Sequence, residues 1–351
     1  MHVTITSAMS KPGWQRTRTT IKDIARAANV DPSTVTRALQ DSPRVKPATR
    51  ERIAGIATEL GYVPNMAART LVNRSSGLIG VVIPDMTNPF FAELGRGIED
   101  EAAKHDLRIL FHDTRGVESA EREGVQLFLE LKVDGLLIPM ARCPQDYYEA
   151  IKAVVPVVHV NREEAEHHVN CDTVAGSMFI MQHLFDLGHR RIGFVRGPAG
   201  PWREPKMFAY RRALDERGID YDPDLIFTFD GTLESSRAIA DEFLALEQRP
   251  TAVFAWNDVN AIALIHALKD RGVRVPEDVS IAGHDDIQLA GCIDPPLTTV
   301  AWPMYELGQQ SVRYLYSLGH GNEPGEAEVP PPRLVVREST GGPEQVPPAT
   351  A

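Results

Sequence analysis

Cysteine is scarce in this chain, with three in 351 residues, at positions 143, 171 and 292. They are far apart and odd in number, which argues against a disulfide framework and fits reduced thiols. Cys171 and Cys292 adjoin apolar segments and are expected in the core. No apolar run approaches the length of a membrane span. The opening string MHVTITSAMSKPGWQRTR has no apolar stretch to serve as a signal-peptide core, so a cytoplasmic location is expected. There is no Gly-x-Ser-x-Gly elbow, no P-loop and no His-Glu-x-x-His helix. His167 and His168 are adjacent and poorly placed to share one metal. These absences argue against an enzyme, and neither a metal nor a cofactor is expected.

Charge is distributed unevenly. The whole chain carries a net −11, yet residues 1–75 hold 12 Lys and Arg against 5 Asp and Glu, a net +7. The remainder holds 25 against 43, a net −18. Cations confined to one end of an acidic protein have the look of a phosphate footprint.

The same end carries three short helical patterns. Thr20 is a good N-cap, with Asp23 in the first turn. Ile21, Ile24, Ala25 and Ala28 then recur at i, i+3, i+4 and i+7, one apolar helix face. Asn29 and Val30 make a turn, Asp31 caps a second helix, and Pro32 takes its first position, where a missing N–H costs nothing. Val35, Ala38 and Leu39 face the first helix. Ser33, Thr36 and Arg37 face away, and such groups suit base edges and phosphates. Pro47 opens a third helix with Ile53, Ile56, Ala57 and Leu60 on its buried face, and Gly61 ends it. Two helices so closely joined read as a helix-turn-helix, a unit that lays one helix in a DNA major groove. The alternative is a small solvated bundle, and the charge argues against it.

From residue 78 the pattern alternates between strand and helix. LIGVVI, RILFHD, GLLIP, VVHV, RIGFVR, LIFTF, TAVFAW and VSIAG are apolar runs of strand length, which indicates parallel sheet covered on both faces. Roughly 260 residues of this pattern exceed one small doubly wound unit, so two lobes are expected. Loops that follow strands should line a cleft between them.

The strings TIKDIARAANVDPSTVTRAL, VKPATRERI and LGYVPNMAARTL resemble the lactose-repressor (LacI/GalR) family of bacterial transcription regulators. The likeness continues through IGVVIPDMTNPFF, VDGLLIP, LGHRRIGFVRGP, NDVNAIALIHALKDRGVRVPEDVSIAGHDD and DPPLTTV, in the family's order. It implies an α/β protein in which a three-helix helix-turn-helix head and hinge helix precede a two-lobed, periplasmic-binding-protein-like clamp of parallel sheets. The expected division is a disordered arm (1–18), the head (19–64), the hinge helix and linker (65–76), the effector-binding body (77–340) and a disordered tail (341–351). Lobe crossovers are expected near 161–172, 298–303 and 329–334.

The resemblance assigns base contacts to Pro32, Ser33 and Arg37, with Thr20, Thr34 and Thr36 beside them. Pro32 departs from the polar or aromatic residues that such regulators often carry there. Asn65 matches the start of the hinge helix, Leu71 its minor-groove wedge, and Ala68 and Arg69 the neighbours of that wedge. A helix of about two turns is too short to be stable alone, so its folding would be coupled to DNA. Effector-contacting positions match Asn88, Phe90, Phe91, Asn161, Lys206, Asn257, Asp285 and Trp302. Plainer readings stay open: one of Phe90 and Phe91 belongs to the core, Asp258 caps a helix, Asp286 holds a turn, Trp302 packs a hinge, and Arg203 competes with Lys206. The implied protein is a sequence-specific regulator, by default a repressor. It would bind a pseudo-palindromic duplex DNA operator as a homodimer, since the tail has no leucine heptads. A small molecule, a sugar or sugar derivative, would control it, and no membrane would be involved.

Overall fold

The computed structural model describes residues 19–63, 75–197 and 204–343. The chain divides into two units between Ser76 and Gly77.

The first unit is the head, with α1 (Ile21–Ala28), α2 (Pro32–Leu39) and α3 (Pro47–Glu59). The Asp23 carboxylate accepts from the Thr20 backbone N–H at 2.9 Å and from its hydroxyl at 2.6 Å, which fixes the start of α1. Asn29, at φ +50°, ends it in the left-handed conformation that asparagine tolerates. Asp31 stands at the N-cap of α2, but its side chain makes no capping bond; Pro32 at the first position sets the turn. Ile24, Ala25, Ala28, Val35, Ala38, Val45, Ile53 and Ala57 form one small core. Leu60 was expected on the buried face of α3 but is 41% exposed. It is the residue that caps α3, and past Gly61 the chain turns so that Tyr62 packs on the core in its place.

In the second unit, β1 (Leu78–Ile83), β2 (Arg108–Asp113), β3 (Gly135–Pro139), β4 (Val157–Val160) and β5 (His168–Val169) form a parallel sheet in the order β2-β1-β3-β4-β5. The helices α4 (Pro89–Lys104), α5 (Glu118–Glu130) and α6 (Gln145–Lys152) connect the strands of this lobe. The next stretch, α7 (Thr173–Asp186), β6 (Ile192–Arg196), α8 (Pro205–Asp215), β7 (Ile226–Thr228), α9 (Leu233–Ala245), β8 (Ala252–Phe254), α10 (Asp258–Lys269) and β9 (Ser280–Ala282), builds the other lobe, with sheet order β7-β6-β8-β9. After β10 (Thr299–Ala301) the chain returns to the first lobe as α11 (Met304–Gly319), which packs along α4. It then comes back through β11 (Arg333–Val335), antiparallel to β10, and the Ile281 N–H donates to the Ser339 carbonyl at 2.8 Å.

Two contacts fix α11 on α4. A side chain on Gly97 or Gly308 would strike the facing helix backbone, at the Tyr305 and Leu94 carbonyls respectively, so the helices touch main chain to main chain. Near their far ends Arg313 donates two bonds, at 2.7 and 3.0 Å, to the buried Glu101 carboxylate. Those bonds hold the Glu101 carboxyl down at about 2, with Lys104 assisting, against the upward push of burial.

Two expectations fail here. RILFHD was read as a run covered on both faces, yet β2 lies at the sheet edge and Phe111 is 39% exposed. Cys143 and Cys171 are buried, but Cys292 is exposed, because its apolar neighbours belong to a surface turn at Gln288–Gly291. No helix among the described residues is long and apolar enough to cross a membrane.

Candidate functional site

On the outer side of α2, Pro32, Ser33 and Arg37 are exposed, while Thr34 and Thr36 are half-buried. The Thr36 hydroxyl donates back to the Pro32 carbonyl at 3.1 Å, and the Thr20 hydroxyl is engaged by Asp23. Ser33 and Arg37 are therefore the polar groups that α2 offers outward, on a head whose Lys22, Arg26, Arg44, Lys46 and Arg52 are also exposed. Asn65, Ala68, Arg69 and Leu71 lie outside the described residues.

In the body, strand ends and the β10 crossover bring together a buried polar cluster. Lys206, in the first turn of α8, is 7% exposed. Its Nζ donates to the Trp256 carbonyl at 2.5 Å and lies 4.5 Å from the centroid of the Trp256 ring. Gly197 makes room for that ring, since a Cβ there would collide with it. Asn257 caps α10, its Oδ1 accepting from the Asn260 N–H at 2.9 Å. Asp258 is fully buried, accepting from the Ile287 N–H at 2.9 Å and from the Thr299 hydroxyl at 2.6 Å. It thus ties α10 to the β10 strand, and the helix cap expected of it falls to its neighbour Asn257.

Asp285 has φ +126°, a backbone region costly for any side chain, and Asp286 follows at φ +56°. Bonds to the crossover enforce this turn: the Asp285 N–H donates to the Val300 carbonyl at 2.9 Å, and the Trp302 N–H donates to the Asp285 carbonyl at 3.4 Å. Asp286 is paired with Arg337 at 2.6 Å, so it does hold a turn. The Trp302 indole Nε1–H donates to His284 Nε2 at 3.3 Å, and its ring meets Phe90 edge-on at 5.8 Å.

Burial sets the electrostatics of this cluster. It pushes the Asp285 carboxyl up, opposed by the Lys206 charge. It pushes Asp258 up as well, joined by the like charge of Asp285. It pushes the Lys206 ammonium down, opposed by Asp285 and Asp258, and drives His284 far below the ordinary imidazole value, with Lys206 adding to the effect. Each group is thus poorly solvated and biased towards its neutral form. Such groups suit a polyhydroxylated ligand, able both to donate and to accept, with aromatic rings to cover its C–H faces.

The other expected positions are placed differently. Asn88 caps α4, its Oδ1 accepting from the Phe90 N–H at 3.0 Å. Phe90 and Phe91 are both buried, edge to face at 5.0 Å, and Phe90 is the one that reaches Trp302. Asn161 (φ +60°) has its Oδ1 turned to the Cys171 N–H at 3.1 Å, closing the turn around β5. Arg203 lies outside the described residues. A mostly apolar groove of about 360 Å³ is lined by Thr87 and Pro89 at the start of α4 and by Val259, Ile262, Ala263 and Leu289 beside α10, and Leu289 is 54% exposed.

Residues 20–65 match the bacterial regulatory proteins of the lacI family, and residues 181–340 match the periplasmic binding protein-like domain. The HTH-type transcriptional repressor CytR of Escherichia coli (strain K12) is 36% identical over 332 residues, spanning 93% of this chain and 97% of that protein. The chain belongs to the lacI family. It is accordingly a DNA-binding transcriptional regulator with a ligand-sensing body. Among solved structures of the family, the lac repressor dimer bound to operator and the anti-inducer ONPF matches with a TM-score of 0.81 and 26% identity, over 92% of this chain and 99% of that one. A LacI family regulator from Enterococcus faecium with bound ribose matches with a TM-score of 0.68 and 30% identity, over 76% of this chain and 100% of that one.

Against the family frame, sequence reasoning passed over three residues of the cluster. Trp256 directly follows a buried strand, and an aromatic at a strand end was the available signal. Asp258 was weighed as a mere cap, and His284 was given no part in effector binding. Nothing in a one-dimensional pattern announces that Asp258 and Thr299, 41 positions apart, share a hydrogen bond.

Proposed function

We propose that this regulator represses transcription by holding a pseudo-palindromic operator as a homodimer, and that a sugar or sugar derivative bound between the lobes sets the strength of that grip. The observation that carries the effector reading is the buried Lys206–Asp285 cluster flanked by Trp256, Trp302 and Phe90. Two opposed ionisable groups, short of water and framed by aromatic faces, suit the alternating hydroxyl and C–H surfaces of a sugar. The relative from Enterococcus faecium with bound ribose supports the same class.

In the proposal each head lays α2 in one major-groove half-site, with Ser33 and Arg37 reading base edges and Pro32, Thr20, Thr34 and Thr36 bordering them. Asn65, Ala68, Arg69 and Leu71 contact the operator centre in this reading. The exposed Phe111 on the edge strand β2 supports a dimer in which a second copy covers it. Asn88, Phe91, Asn161 and Asn257 shape the cleft walls, although their side chains already serve caps, core and turns. The site of action is the cytoplasm, where the DNA is. The reading is a regulator and not an enzyme: His284, with both ring nitrogens engaged within the protein, presents no base to a substrate.

The test is calorimetric titration with D-ribose and with cellobiose, on wild type and Asp285→Ala. One sugar should bind the wild type, and the variant should lose about 1.5–3 kcal/mol of that affinity while its effector-free DNA affinity stays the same. Unchanged sugar binding by Asp285→Ala would place the effector elsewhere.

A further inference from the structure

Trp302 touches both lobes at the crossover. It leaves β10, meets Phe90 in the first turn of α4 on one side, and donates its indole N–H to His284 of the other lobe. His284 is fully buried, and the closely packed Lys206 charge adds to burial in keeping its ring neutral. A neutral imidazole has one donor and one acceptor. Because Trp302 donates to Nε2, that nitrogen is the acceptor and the proton must reside on Nδ1. Nδ1–H then donates to Asp285 Oδ1, 3.2 Å away. The direction of the first bond fixes the direction of the second. The strained backbone at Asp285 is held by the same crossover, through its bonds to Val300 and Trp302.

We propose that Trp302 and His284 are positioning residues: together with Asp285 they form a relay across the lobes that aims the effector-facing carboxylate and couples its state to the start of α4. The proposal rests on the reading of the cleft given above. Simple hinge packing would need only the bulk of the indole. The relay needs its N–H, an acceptor at His284 and a carboxylate at Asp285. The charged and titratable groups that face Asp285 are Lys206 from α8, Asp258 from α10, and His284.

Two experiments decide it. The first needs no effector. Full-length protein, which has four tryptophans, is labelled with 5-fluorotryptophan, and the Trp302 line is assigned by its loss in Trp302→Phe. Followed by fluorine NMR from pH 5 to 9, that line should shift along a titration curve. The shift should vanish in Asp285→Asn and His284→Phe, and persist in His284→Gln, whose amide can still accept from the indole and donate to Asp285. A line that does not move with pH, or that titrates equally in His284→Phe, overturns the relay.

The second is calorimetric titration with D-ribose. Trp302→Phe and His284→Phe should each weaken binding about five- to tenfold, the double variant should be no weaker than either alone, and His284→Gln should lie within about twofold of wild type. Multiplying losses would mean two independent packing roles and would overturn the proposal. If wild type ignores D-ribose, the sugar reading suffers, while the NMR titration still decides the relay. Should His284→Phe fail to fold by circular dichroism, Asp285→Asn and His284→Gln carry the NMR test.

Discussion

Arg37 and Ser33 are the polar side chains that α2 presents outward, since Thr36 is turned back on its own helix and Thr20 is held by Asp23. Replacing Arg37 with Ala should cost about 1–3 kcal/mol of discrimination between operator and mismatched duplexes. Competition binding between a selected duplex and its single-base variants measures this, and an unchanged ratio would remove Arg37 as a reader of sequence. At this scale the sequence was legible where chemistry is local. The Thr20–Asp23 start of α1, the Pro32 start of α2 and the outward Arg37 follow from spacing alone. Legibility failed where a residue acts across the chain. Asp258 holds Ile287 and Thr299, Asn161 closes onto Cys171, and Lys206 donates to a carbonyl 50 positions away.

At the scale of elements, the apolar runs marked the strands because buried parallel strands are apolar on both faces. Edges broke that rule, as at Phe111 of β2. The contact of α4 with α11 was invisible, because it depends on two glycines more than 200 positions apart in the chain meeting main chain to main chain. Gly308→Ala should therefore destabilise the body by about 1–3 kcal/mol through overpacking. Gly319→Ala, at the end of the same helix and with open space around it, should be neutral or gain up to about 1 kcal/mol from helix propensity. Equal urea midpoints for the two variants would contradict the packing account.

The same helix pair predicts an acid response. The folded-state value of Glu101 lies below that of a free carboxyl, so its contribution to stability is complete above about pH 4.3 and is lost as pH falls towards about 2. Glu101→Gln should flatten that part of the stability–pH curve. A Glu101→Gln curve parallel to wild type from pH 4.5 to 2 would show that the ion pair contributes nothing there.

Over the whole molecule, a head with net positive charge precedes a body with net negative charge, and the chain divides between them at Ser76 and Gly77. That division of labour was the most legible feature of all, because composition alone separates the part that meets phosphates from the part that meets a metabolite. The identity of the metabolite stayed hidden, since the proposed pocket around Lys206 and Asp285 is assembled from β8, β9, α8 and β10, which are separate segments of the chain. Coupling of the two parts should change DNA affinity by about 1–3 kcal/mol when the effector binds, with the sign set by which conformation it favours.

The central claim is that a cationic head grips duplex DNA and that the body sets the grip. The most direct measurement is fluorescence anisotropy of full-length protein on a palindromic duplex selected from a random pool, across 50 to 200 mM salt, with and without the sugar found by calorimetry. The account predicts a fall in affinity of about 10³–10⁵ over that salt range, as expected for some 6–10 phosphate contacts, and two curves displaced by about fivefold or more between effector states. Binding that ignores salt, or curves that coincide with and without effector, would contradict it.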